Sequence, residues 1–405
     1  MNWRPAVTIA AVLALVLNAC DRDDPKKIDG EAVVIFAGGG ASTLAKRAVD
    51  LSLSGVADDL EVGRDDVVRL MVTEHNRVLI WAFGPDGSVG RTEVDPKITD
   101  AAQMAVADDG TVYISHLVGR VWAISEVGAR GQLTPIIIDG LPATSKGIQN
   151  VRPIVRIDGI AVDRLGRLVF VEDSYNVARR QAINLVRRVE ANGQIVTIAG
   201  RDAPLGASEY AEAIIRSVAP PSGTRAIDWP LPGLGDLDSL AVGDDNTIYV
   251  QAHRGVLALP PDGTIRPVAR RRDRTAAHVA DRPFTHEGDA ADADPRFIEH
   301  AGITEDHGFV AMPVTQARPD YSNLLPAAFR WTGDFTPNQR MIIEAAQRQA
   351  GKTRLQQILR IVRPDGSITT GAWAIDGAAL RGGVLYVLIQ GDRSQLMIGK
   401  IDLPD

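Results

Sequence analysis

Four short runs of sequence decide the fold: GIAVD at 159–163, LVFVED at 168–173, VRRV at 186–189 and TIAG at 197–200. Each run is rich in β-branched and apolar residues, and turn-forming residues separate the runs, which is typical of consecutive β-strands. Asn192-Gly193 stands between the third and fourth runs, where an Asn-Gly pair supplies the positive φ angles of a tight hairpin. The segment therefore predicts one four-stranded, up-and-down unit.

The same hairpin turn recurs along the chain. Its four copies are Pro85-Asp86-Gly87-Ser88, Ala191-Asn192-Gly193-Gln194, Pro261-Asp262-Gly263-Thr264 and Pro364-Asp365-Gly366-Ser367. In each copy an apolar alternating run enters the turn and a second β-rich run leaves it. Repetition of one hairpin at wide spacing predicts an array of similar sheets.

A second motif marks the first strand of each unit. It consists of apolar residues with a small residue at the centre, followed by a polar or acidic residue and a turn. The copies are LEVGR at 60–64, MAVAD at 104–108, IAVD at 160–163, LAVGD at 240–244, GITED at 302–306 and WAID at 373–376. Small residues suit strands that crowd around a central axis, so the six copies predict about six inner strands.

The unit at 159–200 resembles an NHL repeat. IFAGG at 35–39 is similar to the end of such a repeat, and GDAADA at 288–293 resembles the segment that links repeats in bacterial members. The resemblance covers most of residues 31–405 and implies a β-propeller, commonly with six blades. We therefore expect an all-β, six-bladed propeller with four-stranded blades. The solitary strand at 32–37 is expected to pair with the last unit and to complete its blade, because closure removes exposed sheet edges.

The amino-terminal segment has the pattern of a targeting sequence. Arg4 precedes an uncharged, mostly apolar run from 6 to 19, which is too short to span a membrane and ends at Cys20. LNAC at 17–20 resembles the lipobox of bacterial lipoproteins. We therefore expect a lipoprotein signal peptide at 1–19, a lipid on Cys20 with a polar tether over 20–30, and the propeller over 31–405. An ordinary signal peptide with an incidental cysteine is the alternative. The lipid would hold the domain on the extracytoplasmic side of a membrane in the bacterial cell envelope.

Composition excludes several classes of protein. Cys20 is the only cysteine, which excludes an internal disulfide and a cysteine-based zinc site. The formal net charge is −7 and no long basic block is present, so nucleic acid is not expected as a partner. The sequence also contains no nucleophile-elbow, zinc-protease or phosphate-loop motif.

Long departures from the repeat follow second or fourth strands, and both kinds of connection emerge on the same face of a propeller. We expect helical insertions on this loop-rich face, at 208–218 and at 337–350, where Thr336 and Pro337 form a typical helix start. Loops longer than a dozen residues are commonly functional, so the loop-rich face is the expected binding face.

Five residues are candidates for that binding face. His75, His116 and His253 each come just after a second strand, and Trp229 and Tyr175 lie in insertions. Three converging histidines can hold a metal, as in the related propeller lyases that depend on histidine and metal. Three unrelated polar turn residues are the simpler interpretation, and an apolar lid is the simpler interpretation of the segment around Trp229.

Resemblance to gluconolactonase-like propellers implies a different metal site, in which acidic side chains on the central channel hold a divalent ion. Glu61, Asp158, Asp238 and Glu299 lie at or before inner strands and are the candidates, together with Asp236. Their oxygen ligands suit Ca²⁺ or another divalent ion. Acids at strand entries also satisfy turn amides, so both interpretations stay open.

These observations favour a membrane-anchored extracytoplasmic propeller that acts by binding a protein, a peptide, a small ligand or a wall-associated ligand. The alternative is a metal-dependent lyase or lactonase with its site in the central channel.

Overall fold

The computed structural model describes residues 31–403. The gaps in this range are 41, 43–45, 99–100, 143–155, 177–180, 202–219, 233–239, 253–254, 271–287, 290–303, 307–308, 318–328, 332–354, 363–366, 373–376 and 391–394. The described residues form an all-β fold of 29 strands, β1 to β29.

The strands assemble into six sheets. β1 (Glu31–Gly38) and β2 (Leu53–Ser54) come first. The first consecutive sheet contains β3 (Val56–Val62), β4 (Val68–Glu74), β5 (Arg77–Phe83) and β6 (Val89–Glu93). The second contains β7 (Ala101–Val106), β8 (Val112–Val118), β9 (Val121–Val127), β10 (Leu133–Ile138) and β11 (Leu141–Pro142). The third contains β12 (Arg156–Val162), β13 (Leu168–Asn176), β14 (Gln181–Val189), β15 (Ile195–Ala199) and β16 (Leu231–Pro232).

The remaining strands follow in the same order. The fourth sheet contains β17 (Leu240–Val242), β18 (Ile248–Ala252), β19 (Gly255–Leu259) and β20 (Arg266–Arg270). The fifth contains β21 (Gly288–Asp289), β22 (Thr304–Asp306), β23 (Phe309–Ala317), β25 (Leu355–Val362) and β26 (Ser367–Ala372). β24 (Phe329–Trp331) belongs instead to the last sheet, with β27 (Gly377–Arg381), β28 (Val384–Gln390) and β29 (Gln395–Asp402).

The repeated turns form as their sequence predicts. Gly87 has a φ of 81°, and the Asp86 carboxylate accepts a hydrogen bond from the Ser88 amide at 2.9 Å. Asn192 and Asp262 accept the same bond at 2.9 Å in their turns. This side-chain bond replaces water on an amide that the hairpin leaves without a backbone partner. The fourth predicted turn, at 364–367, lies mostly outside the described residues.

The sheets surround a common axis. β3, β7, β12, β17, β22 and β27 are the innermost strands, each contacts the innermost strand of the next sheet, and β27 returns to β3. The expectation of an all-β propeller with four-stranded blades is confirmed. Five blades, rather than six, are built from consecutive parts of the chain. The remaining sheet is composite, because it combines strands from both ends.

The composite sheet has the order β24-β1-β29-β28-β27. β1 pairs antiparallel with β29, and Val34 lies opposite Lys400. β24 pairs parallel with the first residues of β1, so that Glu31 lies opposite Phe329. The expected pairing of the first strand with the last unit is therefore confirmed.

The hydrophobic core lies between neighbouring sheets. Met71 packs with Met104 and Ile114 of the second sheet, whereas its neighbour Val72 packs with Leu388 of the composite sheet. Successive side chains of a strand point to opposite faces, so each sheet contributes to two interfaces. Each fully buried apolar side chain of this size contributes about 1.5–3 kcal/mol, which makes the interfaces the main source of stability.

The two ends of the ring differ. One end carries the connections 63–67, 107–111, 163–167 and 243–247 and the Asp/Asn-Gly hairpins, and we call it the turn face. The opposite end, which we call the loop face, is where the chain leaves and re-enters the blades for the connections 200–239 and 271–303.

The prediction of helical insertions is not supported by the described residues. Only two short 3₁₀ helices, Ala48–Asp50 and Ala226–Asp228, occur in that part of the chain. The predicted helices at 208–218 and 337–350 lie outside the described residues. Within those residues no helix is long and apolar enough to cross a bilayer.

Candidate functional site on the propeller axis

Small residues of the inner strands leave a narrow channel on the axis. Ala105, Ala161 and Ala241 line it at equivalent places of three blades, and Glu61 lines it on the first blade. The cavity measures about 70 Å³. Pockets that bury a drug-sized ligand measure about 300–1,000 Å³, and one water occupies about 30 Å³. The described channel therefore has room for a few waters or a bare ion.

Charged side chains surround the channel where it meets the turn face. We call this group the axial ion-pair ring, and it consists of Arg64, Asp108, Arg164, Asp244 and Arg381. The first four each stand two residues after the end of an inner strand, in four successive blades. Because the equivalent position alternates between arginine and aspartate, every charge has a neighbour of opposite sign.

The ion pairs of the ring cross the axis. Asp244 of the fourth blade lies 2.8 Å from Arg64 of the first blade and 2.7 Å from Arg164 of the third. Asp108 of the second blade lies 3.0 Å from Arg64 and 3.4 Å from Arg164. Arg381 of the composite sheet reaches Asp244 at 3.7 Å. The network joins five sheets and narrows the channel at the turn face.

Arg164 is the most firmly held member of the ring. Its guanidinium also donates to the backbone carbonyls of Val242 and Gly243, both at 3.3 Å. Its backbone amide donates to the Asn246 side chain at 2.8 Å. Sequence reasoning treated these positions as ordinary turns. The signal that it missed is the alternation of sign at one equivalent position of the first-strand motif.

Two carboxyl groups lie on the inner strand β3. The Asp59 side chain accepts hydrogen bonds from the amides of Leu60, at 2.8 Å, and of Met104 in the next blade, at 2.7 Å. Burial raises the pKa of Asp59 to about 6, although these two bonds oppose the shift. Burial, together with the nearby Asp59 carboxylate, raises the pKa of Glu61 well above its ordinary value. The pair therefore retains a proton more readily than free carboxyl groups do.

The hydrogen bond from the Met104 amide to Asp59 has an equivalent in the next pair of blades. Gln103, which follows a register shift in β7 as Asp59 does in β3, accepts a bond from the Ile160 amide at 3.1 Å. Each of these two hydrogen bonds connects the inner strand of one blade to the inner strand of the next. These polar side chains thus have a structural role besides any role in binding.

Of the proposed metal ligands, Glu61 is the one whose side chain the structure describes. Glu61 lines the channel, but only the backbone of Asp158 is described, in β12, and Asp238, Glu299 and Asp236 lie in the gaps. Among the described residues no three His, Cys, Asp or Glu side chains are close enough to hold a metal ion.

The three histidines differ in environment. His75 is exposed in the two-residue turn between β4 and β5, where its φ is 52°. His116 lies inside β8 rather than after it and is only 2% exposed. Its Nε2 lies 2.8 Å from the Ser125 hydroxyl, and burial lowers its pKa. His116 is therefore a core residue, and His253 lies outside the described residues.

The two aromatic candidates also differ. Trp229 follows the short helix Ala226–Asp228 and is half-buried against the hydrophobic cluster between the third and fourth blades. This packing agrees with the simpler interpretation of an apolar cover. Tyr175 lies in β13 opposite Ala182, and its side chain is not described.

No protein-family model matches the chain, and no curated protein matches it. Solved propellers resemble it in structure. A gluconolactonase from Xanthomonas campestris is 14% identical, with a TM-score of 0.44 over 92% of this chain and 98% of that chain. Virginiamycin B lyase from Staphylococcus aureus is 12% identical, with a TM-score of 0.40 over 87% of this chain and 98% of that one. An auxiliary nutrient binding protein from Bacteroides thetaiotaomicron is 12% identical, with a TM-score of 0.46 over 91% and 76%. Likeness at this level concerns the kind of fold and assigns neither ligand nor activity.

Proposed function

We propose that this chain is an NHL-like binding propeller of the bacterial cell envelope, held at the extracytoplasmic side of a membrane by a lipid on Cys20. In this proposal the composite sheet acts as a sixth blade, and the loop face recognises a protein, a peptide or a wall-associated ligand without catalysis. The chain before β1 supplies the signal peptide, over 1–19, and the tether, over 20–30.

The asymmetry of the ring carries this proposal. The turn face has short turns closed by their own hydrogen bonds, and the axial ion-pair ring narrows the channel there. Part of the connection 200–239 also reaches this face, where the Ala226 amide donates to the Gly263 carbonyl at 2.8 Å. The long connections start and end at the loop face. Rigid scaffolds commonly bind through the loops that they position. We therefore assign the binding of a ligand larger than an ion to the loop face.

Site-specific photocrosslinking in living cells tests the binding face. Benzoylphenylalanine is placed at Arg120 or His75 on the loop face, and at Ala129 or Asp262 on the turn face, all of which are exposed. Irradiation is expected to give discrete adducts only from the two loop-face positions. Adducts from the turn-face positions alone, or no adduct from either loop-face position, would overturn the proposed binding face.

Detergent partitioning tests the anchor separately. The full-length protein is expected to enter the detergent phase and to incorporate labelled palmitate. Cys20→Ser is expected to stay in the aqueous phase without label. A wild-type protein that remains aqueous and unlabelled would remove the anchor from the proposal and leave the binding face untouched.

A metal-dependent lyase or lactonase remains the second candidate, and the acid pair of Asp59 and Glu61 on β3, of which Glu61 lines the channel, is the observation that favours it. Elemental analysis of the purified mature protein decides between the two functions. The binding proposal predicts far less than one divalent ion per chain, with no difference between the wild type and Glu61→Gln. A stoichiometric ion that disappears in Glu61→Gln would favour the enzyme.

A further inference from the structure

The direction of β1 fixes where the chain enters the propeller. β27 and β28 are joined by Gly382-Gly383 at the turn face, and the Leu403 amide donates to the Gly383 carbonyl at 2.7 Å. β29 therefore ends at the turn face. Because β1 is antiparallel to β29, with Val34 opposite Lys400 and Gly38 opposite Met397, β1 begins at the turn face and runs towards the loop face.

The first residues of β1 are also paired with a neighbouring strand, so their direction is fixed as well. Glu31, Ala32 and Val33 pair with β24, and Val34 to Gly38 pair with β29. The strand is thus oriented from its first residue. Any chain that precedes Glu31 must leave the domain at the turn face, at the rim of the ring.

From this geometry we infer that the turn face is directed towards the lipid bilayer and the loop face away from it. The inference rests on the lipid anchor of the proposed function, and it adds the orientation of the binding face. A partner of the loop face must then be reached from the extracytoplasmic compartment rather than from within the bilayer.

The length of the tether supports one orientation over the other. Residues 21–30 span at most about 35 Å when fully extended, and about 18 Å as a flexible chain. A seven-residue strand such as β9 rises about 23 Å along the blade. To turn the loop face towards the bilayer, the tether would first have to cover the height of the blade. That leaves about 12 Å of fully extended chain, whereas the turn-face orientation requires no extension.

The chemistry of the turn face fits a position close to the bilayer without insertion into it. Exposed carboxylates of Asp86, Asp109 and Asp262 stand on this face and are held by turn amides. Leu165, between Arg164 and Gly166, is an exposed apolar side chain in one of these turns. Acidic groups in the turns disfavour contact with an anionic surface, so the tether rather than the face supplies the attachment.

Energy transfer in proteoliposomes tests the orientation. Cys20 is the only native cysteine, and in the proposed function it carries the lipid, so one added cysteine gives a unique labelling site. Arg120→Cys and Ala129→Cys form a matched pair, since both positions are exposed and they flank the two ends of β9. Full-length lipidated variants carry a donor dye there, in phosphatidylcholine vesicles that contain an acceptor lipid.

Transfer from position 129 is expected to exceed transfer from position 120 about twofold or more, because the strand between them rises about 23 Å. Inserting twenty Gly/Ser residues after Lys26 should reduce this difference, since the lengthened chain reaches either orientation. Equal transfer from both positions, or stronger transfer from position 120, would overturn the orientation. Vesicle flotation separates the two hypotheses: a protein that does not float with the vesicles lacks the proposed anchor, and the orientation falls with it.

Discussion

Substitution of Asp59 by asparagine tests the electrostatics of the carboxyl pair that Asp59 and Glu61 form on β3. Asp59 is closely surrounded by protein, and its pKa is raised from an ordinary value of 3.8 to about 6. The native state therefore binds the proton more tightly than the unfolded state does. For such a carboxyl group the free energy of unfolding is highest at a pH below the pKa of the group in the unfolded state. It falls as the pH rises towards the pKa of the group in the folded state.

The magnitude follows from the size of the shift. About two pKa units correspond to about 3 kcal/mol of lost stability above pH 6, and to about 1 kcal/mol at pH 4.5. The asparagine side chain of the variant cannot ionise, but it offers only one oxygen to the amides of Leu60 and Met104, which Asp59 serves with two. The missing hydrogen bond costs about 1 kcal/mol at every pH. Asp59→Asn is thus expected to be about 1–2 kcal/mol more stable than the wild type at pH 8, and close to it at pH 4.5.

Urea unfolding at pH 4.5 and pH 8, at constant ionic strength, measures the difference. Asp262→Asn is the control, because Asp262 is fully exposed and its turn bonds lower its pKa rather than raise it. The control should not gain stability at high pH. If the change in unfolding free energy caused by Asp59→Asn is the same at both pH values, the assigned burial of this carboxyl group is wrong.

Two further predictions concern the charges of the axial ring and the backbone geometry of a turn. Asp244→Asn removes the carboxylate that joins Arg64 and Arg164, and it should lower the free energy of unfolding, measured with urea at low salt, by about 1–2 kcal/mol. The loss should be smaller in 1 M NaCl, because salt screens these partly exposed charges. Asp50→Asn is the control, because it breaks an exposed pair with Arg47 at 2.6 Å, and its free energy of unfolding should be almost unchanged. An equal loss of unfolding free energy in Asp50→Asn and Asp244→Asn would contradict the role of the ring. Gly131→Ala should destabilise by about 3 kcal/mol, because φ is 78° and a Cβ would lie 1.8 Å from the Glu93 carbonyl oxygen. Gly87→Ala, with a φ of 81° in open space, should cost about 1 kcal/mol, and a similar loss for both glycines would contradict the packing described.

The sequence predicted the features that depend on local chemistry. The turn at Asp86-Gly87 and the strand motif at 160–163 are set by a few neighbouring residues, and both form as expected. The pairing of β1 with β29 was also predictable, because an unpartnered strand at each end of a repeat array leaves one favourable way to close the sheet.

Features that depend on distant parts of the chain were not predictable in the same way. Arg64 and Asp244 are far apart in sequence and meet only because opposite blades approach at the axis. His116 was expected after its strand, but β8 continues to Val118 and the side chain is buried. Its register partners on the two neighbouring strands are small residues, Ala101 and Ala123. Glycine at position 119, with a φ of 68°, sets the turn later than the hydrophobic pattern indicates.

Closure of the ring by the first strand is the central claim, and a disulfide between β1 and β29 measures it most directly. Val34→Cys and Lys400→Cys place thiols on antiparallel partners, whose Cα atoms are about 4.5–5.5 Å apart in such pairs and within the range of a disulfide. In a Cys20→Ser background, mild oxidation is expected to give an intramolecular product, seen as a reducible mobility shift. Products that are only intermolecular, or no product in a folded sample, would contradict the closed ring.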